Sequence, residues 1–124
     1  LATQIGTLNA VITGTGNAVV QNNGALNVMG SVGTNTLNVG ATGAITVSGP
    51  IAATGGTVDL TSGMSAMGST VLANNTGGVT LASDVTAGTL SINSAGLVQQ
   101  TAGSIVDKTL QVSTTRYTTG NSAT

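Results

Sequence analysis

The sequence predicts an all-β protein, a β-solenoid (β-helix) of about six turns with roughly 20 residues and two or three short strands in each turn. The first observation is a recurring triplet of an apolar, a small polar and an apolar residue. The second is that glycine or asparagine usually precedes the triplet. Alternation of apolar and polar residues with a period of two is typical of strands, and glycine and asparagine are typical of turns. The pattern therefore predicts short strands joined by tight corners.

Seven triplets carry the repeat, and their spacing gives the pitch. The triplets are Leu26-Asn27-Val28, Leu37-Asn38-Val39, Ile45-Thr46-Val47, Val58-Asp59-Leu60, Val79-Thr80-Leu81, Leu90-Ser91-Ile92 and Leu110-Gln111-Val112. Several pairs of triplet starts are separated by about 20 residues, with alternating shorter steps between them. The step from Val58 to Val79 is interpreted as one full turn. The outer residues of each triplet are expected to point inward, and the central residues outward.

The composition favours a thin core. Leucine, isoleucine and valine together make 30 of the 124 residues, phenylalanine and tryptophan are absent, and Tyr117 is the single aromatic residue. Such a core suits a solenoid, in which small aliphatic side chains stack across a narrow interior from turn to turn. The patterning of these residues argues against a disordered chain, which the high glycine content and the 4% of charged residues would otherwise suggest.

Corner residues stand where the repeat needs them. The segments Asn22-Asn23-Gly24, Thr54-Gly55-Gly56, Asn74-Asn75-Thr76-Gly77-Gly78 and Ala87-Gly88 each precede a triplet. Glycine and asparagine tolerate the left-handed backbone conformation of a sharp corner. A helix is not expected, because no stretch sustains apolar spacing of three and four residues.

Two segments depart from the rhythm. Residues 62–69 hold two of the three methionines and are interpreted as one looser turn, the alternative being a bulged loop that contacts a partner. After Val112 the chain becomes polar. We therefore expect a solenoid repeat domain over 1–112 and a polar C-terminal tail or cap over 113–124. An alternative for residues 113–124 is an extended strand that pairs with a neighbour.

The sequence offers little for catalysis or metal binding. It contains no histidine, cysteine or glutamate, and its acidic residues are Asp59, Asp84 and Asp107. General acid–base catalysis usually needs histidine or a tuned pair of carboxylates. The segment 55–59 comes closest to a calcium-binding β-roll repeat but never recurs. We therefore predict a protein that is not an enzyme, with no catalytic, cofactor-binding or metal-binding residues and no cofactor.

Charge and hydropathy limit the class of partner. The net charge is −1, and Lys108 and Arg116 are the only cationic residues, so no basic surface for nucleic acid is expected. The sequence contains no run of 18 apolar residues, so no membrane span is predicted. Edge strands of soluble proteins are usually protected by charge, and this chain has almost none. The expected partners are therefore a second copy of the chain or neighbouring repeats of a longer one, with surface glycans or proteins as further candidates.

The repeat also resembles a known class of proteins. Four segments carry the resemblance: Gly24-Ala25-Leu26-Asn27-Val28, Gly43-Ala44-Ile45-Thr46-Val47, Gly56-Thr57-Val58-Asp59-Leu60 and Gly88-Thr89-Leu90-Ser91-Ile92. Together with the pitch they resemble the β-strand repeats of bacterial secreted surface proteins, the filamentous-haemagglutinin-like exoproteins and autotransporter passenger domains, over roughly residues 5–112. The resemblance implies secretion, an extracellular or cell-surface location, and roles in adhesion or biofilm. It assigns no functional residue.

Three functions follow as hypotheses. The first is a non-catalytic structural protein of a bacterial surface or extracellular fibre, which self-associates into filaments or acts as an adhesin stalk. The second is an adhesin module that binds a glycan or a protein through its polar outer face. The third is a surface-layer lattice protein, which would share the low charge and the abundance of small residues.

Overall fold

The computed structural model describes residues 2–66, 69, 71–72 and 77–119, with side chains described as far as Thr114. Its ten strands are β1 (Ala2–Thr3), β2 (Thr7–Val11), β3 (Ala18–Asn22), β4 (Leu26–Ser31), β5 (Thr36–Ala41), β6 (Ile45–Ser62), β7 (Val79–Leu81), β8 (Val85–Gln100), β9 (Ile105–Val106) and β10 (Thr109–Thr119). These strands form one sheet in which they pair in parallel. The described residues include no helix, and so none that is long and apolar enough to cross a membrane.

Each turn of the coil has three sides, and each side stacks on the same side of the neighbouring turns. Side A contains residues 7–8, 26–28, 45–47, 79–81 and 98–100; side B contains 10–11, 30–31, 51–53, 85–87 and 105–106; side C contains 18–22, 36–41, 57–62, 89–94 and 109–114. The long strands β6 and β8 run continuously around three consecutive sides. The fold is therefore a β-solenoid with three strands per turn.

The predicted pitch is confirmed. Leu26 is in register with Ile45, and Leu90 is in register with Leu110, so each turn takes about 20 residues. The described residues make about five turns, one fewer than we expected from the sequence. The seven triplets all lie in strands. The first six occupy sides A and C alternately, which explains the alternating short steps between them, and the last two both lie on side C, one full turn apart.

The turn that we expected and the structure does not show falls between side C of one turn and side A of the next. The described residues of this stretch, 63–66, 69, 71–72 and 77–78, are here called the excursion. Ile45, before the excursion, is in register with Val79 after it, and Val58 is likewise in register with Leu90. Both separations exceed the ordinary pitch because they include the excursion. The coil therefore resumes its stacking after the excursion as if these residues had been inserted into it.

The excursion corrects two interpretations of the sequence. The step from Val58 to Val79 is not a full turn, because Val58 lies on side C and Val79 on side A. Residues 62–69 are not a looser turn either: Ser62 ends β6, and Met64 forms an antiparallel bridge with Leu72 outside the coil. This geometry fits the alternative of a bulged loop. Residues 67 and 68 lie outside the described residues.

The core is a narrow stack of aliphatic side chains enclosed by the three sides. On side C, Leu37, Val58 and Leu90 are in register and fully buried. On side A, Leu26, Ile45 and Val79 form an equivalent column, in which every member is at most 1% exposed. Each such side chain contributes about 1.5–3 kcal/mol on burial. The inward orientation predicted for the outer residues of the triplets is confirmed.

Polar side chains occupy the corner between sides C and A, where they bond the backbone of the neighbouring turn. The Asn22 side-chain carbonyl accepts a hydrogen bond from the Ile5 N–H at 2.8 Å. The Ser62 hydroxyl accepts one from the Gly78 N–H at 2.8 Å and donates toward the carbonyl of Gly43, also at 2.8 Å. Ser62 therefore joins the two ends of the excursion and keeps the corner closed.

Pairing continues beyond the boundary that we expected at Val112. Strand β10 runs from Thr109 to Thr119 and pairs with β8 along its length, apart from a register shift between Thr114 and Arg116. The part of the expected tail over 113–119 is therefore a strand of the solenoid. Residues 120–124 lie outside the described residues.

The inward and outward faces can be tested by a matched pair of substitutions. Leu90→Asp should abolish folding, because it places an unpaired charge among fully buried aliphatic side chains. Thr80→Asp, on the outward face of side A, should leave the β-type circular dichroism spectrum intact and lower the free energy of unfolding by no more than about 1 kcal/mol. A folded Leu90→Asp protein together with an unfolded Thr80→Asp protein would mean that the two faces are reversed.

Candidate functional site

The three aspartates lie at different positions on the coil. Asp59 is on the outward face of side C, in register with Asn38 and Ser91. Asp84 precedes side B and accepts a hydrogen bond from the Ser104 N–H at 2.9 Å. Asp107 follows β9, on the next turn. No two of these carboxylates are in register, and the described residues contain no group of three potential metal-ligating side chains.

Asp59 lies between two paired strands of side C. One carboxylate oxygen, Oδ1, is buried and accepts no hydrogen bond. The side chains facing it from the adjacent strands are the neutral Asn38 and Ser91, and the outward side chains beside it along β6 are Thr57 and Thr61. Because no positive charge compensates the loss of water, burial raises the pKa of Asp59 above its ordinary value of 3.8. Burial likewise raises the pKa of Asp107.

The excursion folds back against side C. The Gly63 and Met64 N–H groups both approach the carbonyl of Ala41, at 2.9 and 3.1 Å, and the Ser65 N–H donates to the Val71 carbonyl at 2.9 Å. Met64 is 3% exposed, although it lies outside the coil. Its burial comes from contact with the outer surface of the solenoid, so the start of the excursion is fixed against the sheet.

Gly40 provides the space that Met64 occupies. A Cβ atom at residue 40 would lie 3.0 Å from the Met64 Sδ and 3.1 Å from its Cε. Gly40 stands on the outward face of side C, between Gln21 of the preceding turn and Thr61 of the following turn. The outward column therefore has a gap at this turn, and the methionine thioether lies over it.

A cleft of about 330 Å³ lies between side C and the excursion. Its floor is formed by five residues of side C, Gln21, Asn38, Gly40, Thr61 and Asn93. The facing wall is formed by three residues of the excursion, Met64, Ser69 and Leu72. None of the eight carries a charge at neutral pH. This is the candidate site that the structure offers.

The lining suits polar, uncharged ligands. Each side-chain amide supplies two donors and an acceptor, and each hydroxyl supplies one donor and two acceptors. Met64 and Leu72 add an apolar surface on the opposite wall. The arrangement can bind a neutral molecule that both donates and accepts hydrogen bonds, and its lining has no nucleophile–base pair for covalent chemistry.

The cleft is not apparent from the repeat pattern of the sequence. Among its residues only Asn38 was expected on the polar outer face, as the centre of a triplet. Gln21, Gly40, Thr61 and Asn93 form one outward column. The first two separations in that column match the pitch of about 20 residues and could have been found from it. The third, from Thr61 to Asn93, includes the excursion and could not.

Comparison with known proteins adds no assignment. No family model, no curated protein and no solved structure matches this chain.

The environment of Asp59 gives a pH-dependent prediction. A carboxyl whose pKa is raised on folding stabilises the protein most below its unfolded pKa, and this stability is lost as the pH rises through the folded pKa. Asp59→Asn should therefore raise the melting temperature at pH 7. At pH ~3 wild type and variant should melt together, because both side chains are then neutral.

Thermal unfolding followed by circular dichroism at both pH values checks this, and the acidic measurement is the control. A lower melting temperature for the variant at pH 7, or the same gain at both pH values, would show that ionisation of Asp59 does not destabilise the fold.

Proposed function

We propose that this chain is a non-catalytic structural protein of a bacterial surface or extracellular fibre, acting as a stalk whose coils stack on further coils. The further coils belong either to a second copy of the chain or to neighbouring repeats of a longer one. The resemblance of the repeat to those of bacterial secreted surface proteins supports the location. The sequence supports the non-catalytic role, since it contains no histidine, cysteine or glutamate.

The observation that carries the proposal is that every turn presents the same kind of strand edge, with backbone donors and acceptors available for parallel pairing. Among the described strands, β2 pairs only with β4 at one end of the coil, and β10 pairs only with β8 at the other. The opposite edge of each strand therefore has backbone donors and acceptors directed away from the described ladder. Since every internal turn accepts a parallel neighbour on both edges, the end turns have the geometry to accept one as well.

The end strands have little of the usual protection against such pairing. β2, Thr-Leu-Asn-Ala-Val, contains no charge and no proline. β10 contains one charged residue, Arg116, and its register shift lies at the corner between sides C and A, which leaves the side C part of its edge regular. Natural edge strands that remain unpaired are commonly blocked by lysine, proline or a bulge. Contact between two different edges of the same molecule is heterologous, so it extends into a filament rather than closing into a dimer.

Electron microscopy of the purified chain at neutral pH tests the proposal. We expect filaments whose abundance rises with protein concentration. Val11→Lys should suppress them, because it introduces a charge into β2 at a side chain that is already 64% exposed and so leaves the core intact. Thr46→Lys, an outward substitution on an internal turn, is the matched control and should form filaments as wild type does.

A tandem duplication of the chain tests whether the end turn of one copy stacks on the first turn of the next, without requiring separate molecules to assemble. Since turns stack about 4.8 Å apart, one copy has a coil about 25 Å long and two stacked copies form one rod of about 50 Å in small-angle X-ray scattering. Two independent short rods from the duplication, together with no filaments from the single chain, would overturn the proposal. Extended sheets in place of filaments would favour a surface-layer lattice.

A further inference from the structure

The floor of the cleft beneath the excursion is set by the register of the side C strands. It is a column of outward residues in strict register, Gln21 with Gly40, Gly40 with Thr61, and Thr61 with Asn93. Strand order fixes the heights of these side chains, because each belongs to a different turn of the same parallel sheet. The floor therefore presents two amides and a hydroxyl across several turns, with Met64 covering the position of Gly40.

The opposite wall is fixed by contacts with the coil. Met64 lies over Gly40, its N–H is 3.1 Å from the Ala41 carbonyl, and it bridges to Leu72. Ser62 joins the point where the chain leaves the coil to the point where it returns, Gly78. An apolar wall consequently faces a floor of amides and hydroxyls across about 330 Å³.

We propose that this cleft binds a neutral saccharide. Sugar hydroxyls donate and accept hydrogen bonds, as the amides of Gln21, Asn38 and Asn93 do. The apolar C–H surface of a sugar ring fits against Leu72 and the small part of Met64 that is exposed. Known ligand pockets span about 300–1,000 Å³, and the cleft lies at the small end of that range, so it accommodates one or two rings.

The charge of the site favours neutral over acidic sugars. None of the lining residues is lysine, arginine or histidine, so nothing pairs with a carboxylate or sulfate group. Asp59, on the same outward face and two residues before Thr61, adds a negative charge beside the floor. A uronate or a sialylated sugar therefore gains no cationic partner and meets a like charge.

The backbone around the site disfavours an extended peptide. Peptides that bind to sheets usually add a strand to a free edge. The segment of β6 beneath the cleft, residues 57–62, is paired on both sides, with β5 and with β8. The donors and acceptors offered to a ligand are therefore mainly side chains, whose spacing across turns suits separate hydroxyl groups.

Methyl NMR of the full chain labelled at methionine tests this inference, with cellobiose, maltose and lactose as probes. The Met64 methyl signal, assigned with the Met64→Leu variant, should shift saturably with at least one of them. The Met29 signal is the internal control and should not move, since Met29 packs beside Gly49, away from side C. A sialylated and a uronate-containing sugar should bind more weakly, and a short neutral peptide should not compete.

Two matched variants locate the site. Thr61→Phe should fill the cleft and remove the saturable shift, whereas Thr46→Phe, an outward substitution on side A of the same strand, should bind as wild type does. Asn93→Ala, which removes hydrogen bonds without adding bulk, should weaken binding about fivefold and serves if Thr61→Phe does not fold.

Three results would overturn the inference. They are no saturable shift of Met64 with any neutral disaccharide, wild-type affinity in Thr61→Phe or Asn93→Ala, and tighter binding of the acidic sugars or of the peptide. The measurement uses soluble protein and does not depend on filaments, so the stalk proposal and the saccharide site succeed or fail separately.

Discussion

The parallel hydrogen-bond ladder between successive turns sets the position of every other group in this molecule. Because residues about 20 positions apart are in register, side chains of the same kind stack on one another. Small aliphatic residues such as Leu37, Val58 and Leu90 fill the interior, and the described core side chains include no aromatic ring. The core is thin, and its described members are aliphatic side chains of modest size. Its stability comes from continuity of the columns, in which each residue packs on the turn above and the turn below. The same register places outward side chains in columns, and these columns make the floor of the cleft.

The excursion shows how the ladder tolerates a long insertion. An inserted segment disturbs a repeat stack only if it changes where the chain re-enters it. Here the Ser62 hydroxyl binds the Gly78 N–H, so the chain returns to the corner it left, and Val79 then stacks on Ile45. The missing side chain of Gly40 lets Met64 rest on the outside of the sheet. An insertion in a structural repeat can in this way create a pocket without disturbing the core. The same chain could therefore serve both as a stalk and as a ligand-binding protein, as proposed above.

The strands of sides A and C could be predicted from the sequence because they contain the triplets, whose alternation is local. Side B could not, since segments such as Ile51-Ala52-Ala53 lack a polar centre and resemble a loop. The number of turns was overestimated because the step from Val58 to Val79, across the excursion, coincides with the pitch. The cleft was missed for the same reason: Thr61 and Asn93 are neighbours only when the excursion is removed from the count. The position of Gln100 could not be predicted either: it is a buried amide in register with Leu81, in a column that is aliphatic on the preceding turns.

The register of the turns on either side of the excursion decides whether this fold is right, and nuclear Overhauser contacts between labelled methyl groups measure it. We expect cross-peaks between Val58 and Leu90 and between Ile45 and Val79, which span the excursion, as well as between Leu90 and Leu110 at the ordinary pitch. Stacking that continued at a uniform pitch of about 20 residues would bring Val58 close to Val79 instead. Cross-peaks between Val58 and Val79 in the absence of those to Leu90 would show that the turns do not stack across the excursion in this register.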